Sequence, residues 1–222
     1  MARIAIIGAH GKVGQQLMRQ LYDAGDDFIG IVRGEEHAED IYRLGGEGVR
    51  LDLEATDAAA LADAIRGADA LVFTAGAGAG SGVPRKRTVD YGASVLSIEA
   101  AKAAGIRRFV QVSAAGVDDP ATAQASPDPQ WAAYVEAKRD ADAALRDSGL
   151  EWTILRPTAL TLDEGTGLIE LGEHVDRESG RIPRADVAAT IIAVLGEDGS
   201  IGKQWELTGG NTPIAEAVAR SV

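Results

Sequence analysis

Cysteine is absent from the 222 residues, and histidine is scarce, with three copies at positions 10, 37 and 174. The absence of cysteine excludes disulfide bonds, thiolate nucleophiles and cysteine-bound metals. The histidines are too far apart in sequence to form a local metal-binding pair, so we expect no metal centre. An apolar segment over residues 3–7 starts the chain without the pattern of a signal peptide, so none is expected.

The chain has fewer basic than acidic residues, and it has no long apolar run. Lysine and arginine number 22 against 34 aspartates and glutamates, which gives a formal net charge of −12. Nucleic acids and anionic membranes carry negative charge themselves, so an acidic chain is a poor partner for either. No apolar run approaches the roughly 18 residues that span a bilayer. We therefore predict a cytoplasmic protein that acts on a small molecule, as a monomer or a small homo-oligomer.

Apolar strand-like segments alternate with helix-like segments along most of the chain. The predicted strands are 3–7, 28–32, 49–51, 70–73, 109–112, 152–155 and 204–207. The predicted helices are 12–24, 36–44, 57–66, 88–104, 130–148, 185–195 and a last one at the C-terminus. This alternation predicts an α/β fold in which helices cover both faces of a parallel sheet.

Neither a repeat nor a linker divides the chain, so we predict one doubly wound domain over residues 1–222. The strands are nearly all apolar rather than alternating, as expected when both faces of a sheet are covered. Residues 158–183 are glycine-rich and acidic with little periodicity. We expect this segment to form a loop region on the substrate side.

Three glycines, Gly8, Gly11 and Gly14, follow the first predicted strand directly and open the first predicted helix. In that context glycines permit a tight turn, close approach of the backbone to a pyrophosphate, and close helix–strand packing. The helix N-terminus adds unpaired N–H groups for the phosphates. The alternative is a glycine-rich turn that binds nothing. The predicted dinucleotide contacts are Gly8, Ala9, His10, Gly11, Lys12, Val13 and Gly14.

The residue after the second predicted strand separates NAD from NADP. An acidic residue there would bind the ribose 2′-hydroxyl of NAD, whereas this chain has Arg33. An arginine binds a 2′-phosphate through two hydrogen bonds, so the predicted cofactor is NADP(H). Lys12 would add positive charge to the same pocket. The alternative interpretation makes Arg33 a solvated loop residue.

Two further turns after strands are predicted to contact the cofactor. Asp52 and Leu53 follow the third strand, where a carboxylate can accept a hydrogen bond from an exocyclic amine. Small residues after the fourth strand would let the cofactor lie against the backbone. These residues are Thr74, Ala75, Gly76 and Ala77.

These segments and several later ones resemble the atypical short-chain dehydrogenase/reductases, small NAD(P)-binding proteins with NmrA-like and biliverdin/flavin-reductase-like members. The matching segments are 8–14, 33, 52–53, 75–76, 109–113, 134–138, 155–157 and 184–188, in family order. The resemblance implies a Rossmann domain with NADP(H) at the carboxyl edge of the sheet. It also implies that Pro157 lies near the nicotinamide and that Lys138 contacts the nicotinamide ribose.

Tyr134 and Lys138 are four residues apart on a predicted helix, so they share a face. In a helical projection Lys138 lies in the middle of the apolar arc, with Tyr134 beside it. A lysine there is costly unless a polar or anionic group meets it, which favours a position in the cofactor site. A nearby ammonium lowers the pKa of a phenol, which makes Tyr134 the predicted proton donor. Ser113, after the fifth strand, is predicted to hydrogen-bond the reacting oxygen.

The pattern also has features that weaken the catalytic interpretation. A tyrosine and a lysine four apart occur by chance in many helices. The asparagine of the better-known reductase branch is missing, and the corresponding helix has Asp90 and Tyr91. The basic cluster of residues 85–87 is predicted to be a solvated helix start, with an anionic substrate or the cofactor phosphates as the alternative.

Three functions are consistent with these residues. The leading one is an NADPH-dependent reductase that acts on a small carbonyl-, imine- or flavin-like substrate. The second is a non-catalytic NADP(H)-binding redox sensor, as NmrA-like proteins are. The third is an epimerase-like enzyme with tightly held NAD, which Arg33 disfavours. The residues do not specify the substrate or the direction of the reaction.

Overall fold

A nine-stranded, mostly parallel sheet organises the protein in a computed structural model that describes residues 2–222. The strands are β1 Arg3–Ile7, β2 Asp27–Val32, β3 Glu47–Arg50, β4 Ala70–Phe73, β5 Arg108–Val112, β6 Glu151–Pro157, β7 Ala159–Thr161, β8 Leu168–Gly172, β9 Arg181–Pro183, β10 Lys203–Gly209 and β11 Thr212–Pro213. The order across the sheet is β11-β8-β10-β6-β5-β4-β1-β2-β3, and β7 pairs with β9 separately.

Helices connect the parallel strands and cover both faces of the sheet. They are α1 Lys12–Ala24, α2 Glu35–Arg43, α3 Ala58–Ala64, α4 Val83–Arg85, α5 Ala93–Ala104, α6 Pro120–Gln124, α7 Pro129–Arg146, α8 Arg184–Leu195 and α9 Ile214–Ser221. A π-helical stretch, Lys86–Gly92, leads into α5. The doubly wound, Rossmann-like prediction is confirmed.

The central strands are mostly apolar because each of their faces packs into a separate core. In β1, Ile4 and Ile6 belong to the core that contains α1 and α8. Ala5 and Ile7 point the other way, into the core that contains α3 and α5. Burial on both faces therefore explains the continuous apolar run in the sequence.

The strand order reverses beside β1. The chain moves outward from β1 to β2 and β3, then returns to place β4 on the other side of β1. The helices that follow the two strands, α1 after β1 and α5 after β4, lie on opposite faces of the sheet, which leaves a crevice at the carboxyl ends of the two strands. Ligands of open α/β sheets bind at such a switch point.

Residues 158–183, which we expected to be a loop region, contain three short strands. The strand β8 joins the main sheet antiparallel to β10, with Ile169 opposite Gly209. The strands β7 and β9 form their own parallel pair, with Leu160 opposite Ile182. These pairings join residues distant in sequence, so local periodicity does not report them.

Residues 2–222 contain neither a membrane-spanning helix nor a cluster of metal-binding side chains. No helix in that range is both long enough and apolar enough to cross a membrane. No three histidine, cysteine or acidic side chains of the same range are grouped to hold a metal ion.

Candidate functional site

A cleft of about 1170 Å³ lies at the switch point of the sheet. The loops after five neighbouring parallel strands line it, with Gly8 after β1, Arg33 after β2 and Ser113 after β5. The helix α7 contributes Tyr134 and Lys138 to the same cleft. The fold therefore brings the glycine loop, the arginine after β2 and the tyrosine–lysine pair to one place.

Two glycines of the loop hold a geometry that larger residues would disturb. Gly8 has a φ of +83°, and a Cβ added there would lie 2.7 Å from the backbone N and Cα of Ala75. A Cβ at Gly14 would lie 2.6 Å from the carbonyl oxygen of Ala9. Gly8 thus brings the loops after β1 and β4 together, and Gly14 lets α1 pack on the loop.

The N-terminus of α1 opens into the cleft without a side-chain cap. Gly11 is the N-cap residue, and with Lys12 and Val13 it lines the cleft. The first N–H groups of a helix have no intrahelical partner and carry partial positive charge. This end of the cleft is suited to bind a pyrophosphate.

Most of the predicted cofactor residues line the cleft. They are Gly8, His10, Gly11, Lys12, Val13, Arg33, Asp52, Leu53, Thr74, Ala75, Gly76 and Lys138. The other four predicted contacts do not line the cleft. Ala9 and Gly14 are buried beneath the loop, and Pro157 is buried in β6 opposite Leu207. The backbone N–H of Ala77 donates a hydrogen bond to Asp90 at 3.2 Å.

Arg33 lies beside a carboxylate that the sequence analysis did not single out. The Arg33 Nη1 atom is 4.0 Å from Glu54 Oε2, and Arg85 Nη2 donates to the same oxygen at 2.6 Å. The hydroxyl of Thr88 donates to Glu54 Oε1 at 2.6 Å. The hydrogen bonds from Arg85 and Thr88 lower the pKa of Glu54, so this group is ionised at neutral pH. Arg33 favours a 2′-phosphate at this position, whereas Glu54 opposes it.

Two histidines form a flat surface beside the glycine loop. The ring of His10 stacks on the ring of His37 from α2, with centroids 3.5 Å apart and planes 14° apart. Burial and the neighbouring His37 lower the pKa of His10. Both rings line the cleft next to Arg33. The sequence predicts a cofactor contact for His10 because it lies in the glycine loop. Its stacking on His37 of α2 is seen only in the folded structure.

Lys138 is buried in the apolar arc of α7, and three oxygen atoms surround its ammonium group. Nζ lies 3.2 Å from the carbonyl oxygen of Val112 and 3.4 Å from that of Ala75. The carboxylate of Asp90 is 3.6 Å away and 1% exposed. Asp90, from the π-helical stretch that leads into α5, thus neutralises the charge of Lys138.

The pKa of Tyr134 is raised from its ordinary value, so the expected lowering by Lys138 is wrong. Burial is the main cause, and the charges of Asp90 and Asp142 add to it. Asp90 neutralises Lys138, which removes the positive charge on which the expectation relied. Tyr134 is therefore a neutral phenol at physiological pH, suited to donate a proton rather than to accept one.

Ser113 is held by a buried charge network. Its hydroxyl donates to Asp142 Oδ2 at 2.8 Å. The same fully buried carboxylate accepts from Gln111 Nε2 at 2.7 Å and from Arg156 Nε at 2.8 Å. A serine hydroxyl has a single proton, so the oxygen of Ser113 is left to accept a hydrogen bond in the cleft. The predicted donation from Ser113 to a reacting oxygen does not fit this arrangement.

Known proteins similar to this chain share its nucleotide-binding fold. The profile of a family described as NAD(P)H-binding matches residues 8–198. A Bacillus subtilis protein named uncharacterized sugar epimerase YhfK is 38% identical over 219 residues, which are 98% of this chain and 99% of that protein.

Solved structures extend the similarity to proteins with different names. A putative NAD-dependent epimerase/dehydratase from Bacillus halodurans has a TM-score of 0.90 and 32% identity, covering 99% of this chain and 100% of that one. ChuY from Escherichia coli O157:H7, described as an anaerobillin reductase, has a TM-score of 0.75 and 25% identity, covering 93% and 97%. The similar proteins therefore include both a reductase and proteins named as epimerases.

Proposed function

The chain belongs to the NAD(P)H-binding family, and from that premise we propose that it is an NADPH-dependent reductase. Its proposed substrate is a small carbonyl-, imine- or flavin-like compound. One observation carries the proposal, namely that a dinucleotide cradle and the neutral phenol of Tyr134 line the same cleft.

The residues divide into binding and proton-transfer roles. The glycine loop and the N-terminus of α1 bind the pyrophosphate, and Lys138 lies toward the nicotinamide ribose. With NADPH bound, the site would supply a hydride to the electrophilic carbon of a carbonyl or imine, or to a ring nitrogen of a flavin. Tyr134 would donate a proton to the oxygen or nitrogen of the reduced group, which balances the charge and yields the alcohol, the amine or the reduced flavin. Ser113 accepts a hydrogen bond and orients the donor or the substrate.

Replacing Arg33 with aspartate tests the preference for NADPH. We expect the affinity for NADPH to fall about tenfold to a hundredfold, since a hydrogen bond to a charged group contributes roughly 1.5–3 kcal/mol. Titration with NADPH and with NADH, followed by cofactor fluorescence, measures both affinities. Arg43→Asp is the control, because its side chain is 66% exposed against 63% for Arg33 and pairs with Glu39 away from the cleft. Equal affinities of the unmodified protein for NADPH and NADH would contradict the proposal.

Replacing Glu54 with glutamine tests the same site in the opposite direction. The amide keeps one acceptor oxygen, which can accept from Thr88, and loses the second acceptor that faces Arg85. The negative charge beside Arg33 is removed. We expect NADPH to bind several times more tightly because like charges no longer repel. Paired titration with NADPH and NADH measures the change. Weaker binding of NADPH by this variant would mean that the 2′-phosphate lies elsewhere.

A sugar epimerase that keeps NAD bound through its cycle is the second candidate. The names of the Bacillus subtilis and Bacillus halodurans proteins support it. Acid precipitation of the purified protein distinguishes the two, because an epimerase of this kind releases stoichiometric NAD. A reductase instead exchanges its cofactor and oxidises NADPH with an acceptor from a panel of carbonyls, quinones and flavins. NADPH binding without oxidation by any acceptor would indicate the redox sensor.

A further inference from the structure

Lys86 is a buried cation in the cleft that the proposed reaction leaves without a role. It is 6% exposed, lines the cleft and begins the π-helical stretch. The sequence predicts that residues 85–87 form a solvated basic cluster. In the structure, however, the three side chains contact different partners. Arg85 binds Glu54, and Arg87 donates to Asp140 at 2.7 Å. Arg85 and Lys86 both line the cleft, but only the two arginines of this cluster have a carboxylate partner.

The surroundings of Lys86 provide no counter-charge. Its Nζ atom donates to the carbonyl oxygen of Gly78 at 2.6 Å. No carboxylate oxygen of residues 2–222 lies within 4.0 Å of Lys86 Nζ, which is the limit for an ion pair. The ammonium of Lys138, by contrast, pairs with the carboxylate of Asp90. An ammonium has three donors, and burying one without an anion is costly. A ligand that brings an anionic group to the cleft would remove that cost.

The position of Lys86 assigns that anion to the substrate rather than to the cofactor phosphates. Nζ lies 5.6 Å from the ring centroid of Tyr134, the proposed proton donor. The ring of Trp131 packs against Tyr134 with centroids 5.7 Å apart, and it also lines the cleft. The cation therefore stands beside an aromatic wall at the reacting end, whereas the glycine loop serves the pyrophosphate.

We propose that Lys86 binds the anionic group of the substrate, so that the acceptor is a planar, conjugated carbonyl compound carrying a carboxylate or similar oxyanion. The substrate class rests on the proposed function, whereas the anion site itself does not require catalysis. Aromatic surface from Trp131 and Tyr134 favours the planar part. The ammonium of Lys86 favours the charged part. The carbonyl carbon then lies beside the phenol of Tyr134.

A matched pair of aldehydes tests the proposal, 4-formylbenzoate and its uncharged methyl ester. Calorimetry measures the binding of each to the complex with NADP⁺, and NADPH oxidation measures turnover. In Lys86→Met we expect the affinity for 4-formylbenzoate to fall about tenfold to a hundredfold. The ester and NADPH should bind as they do to the unmodified protein. Lys86→Arg should retain most of the preference for the acid, and Lys102→Met, on the exposed surface of α5, should not change it.

The remaining outcomes separate the alternatives. Equal losses for acid and ester in Lys86→Met would overturn the proposal, as would an unmodified protein that binds both equally. A loss confined to NADPH would assign Lys86 to the cofactor. Binding of the acid that depends on Lys86, without turnover of either aldehyde, would support the anion site and count against the reductase. Thermal melting of each variant confirms that it is folded.

Discussion

Replacement of Tyr134 by phenylalanine is expected to lower kcat about 10²–10⁴-fold, the usual contribution of a positioned proton donor. The affinity for NADPH should not change, because the glycine loop, Arg33 and Lys138 are unaltered. Steady-state oxidation of NADPH with the best acceptor of the carbonyl, quinone and flavin panel measures kcat, and fluorescence titration measures binding. Tyr42→Phe is the control, since Tyr42 is 78% exposed. Unchanged turnover in Tyr134→Phe would remove this residue from the mechanism.

The pH dependence follows from the direction of the Tyr134 pKa shift. Burial, with the charges of Asp90 and Asp142, raises this pKa above its ordinary value, which is near 10. The donor is the protonated phenol, and raising its pKa keeps it protonated throughout the neutral range. We therefore expect Tyr134 to cause no loss of kcat between about pH 6 and 9. A break near neutral pH that disappears in Tyr134→Phe would contradict this assignment.

Replacement of Gly8 by alanine is expected to weaken NADPH binding about tenfold or more, because a Cβ would lie 2.7 Å from the backbone of Ala75. The two loops that form the cradle would have to separate. The same contact costs about 1–3 kcal/mol and the positive φ about 1–2 kcal/mol, so the free energy of unfolding should fall by about 2–5 kcal/mol. Chemical denaturation and NADPH titration measure the two effects.

Gly67→Ala is the matched control for Gly8→Ala. Gly67 has a φ of +82° against +83° for Gly8, but a Cβ at Gly67 meets nothing within 4 Å. The control should therefore show only the cost of the left-handed backbone, about 1–2 kcal/mol, with NADPH affinity unchanged. If Gly8→Ala bound NADPH as tightly as Gly67→Ala, close approach of the two loops would not be needed for binding.

The central part of the fold is predictable because its signals are local. In β1 the residues after Arg3 are apolar on both faces of the strand, since both faces are buried. The strand β8 has no comparable signal, because its place in the sheet depends on pairing with β10. Apolar runs in the sequence therefore identify β1 to β6 and β10, whereas the strands in residues 158–183 emerge only from the structure.

The candidate site divides in a similar way. The glycine loop and the spacing of Tyr134 and Lys138 are patterns along the chain, and they identify residues that line one cleft. Charge balance within the cleft depends on partners distant in sequence, such as Asp90 beside Lys138. The lowered pKa expected for Tyr134 was wrong because burial raises this pKa and the charges of Asp90 and Asp142 add to that effect. The burial of Lys86 and the position of Glu54 beside Arg33 likewise require the three-dimensional structure.

The contact between Gly8 and Ala75 has a consequence for the order of events during protein synthesis. The glycine loop is synthesised before the loop after β4, which supplies the backbone that Gly8 contacts. Lys138, which fixes the carbonyl oxygens of Ala75 and Val112, follows later still. A nascent chain that ends before β4 has the sequence motif without the cradle. We therefore expect nucleotide binding to stabilise the fold only after β4 has joined the sheet.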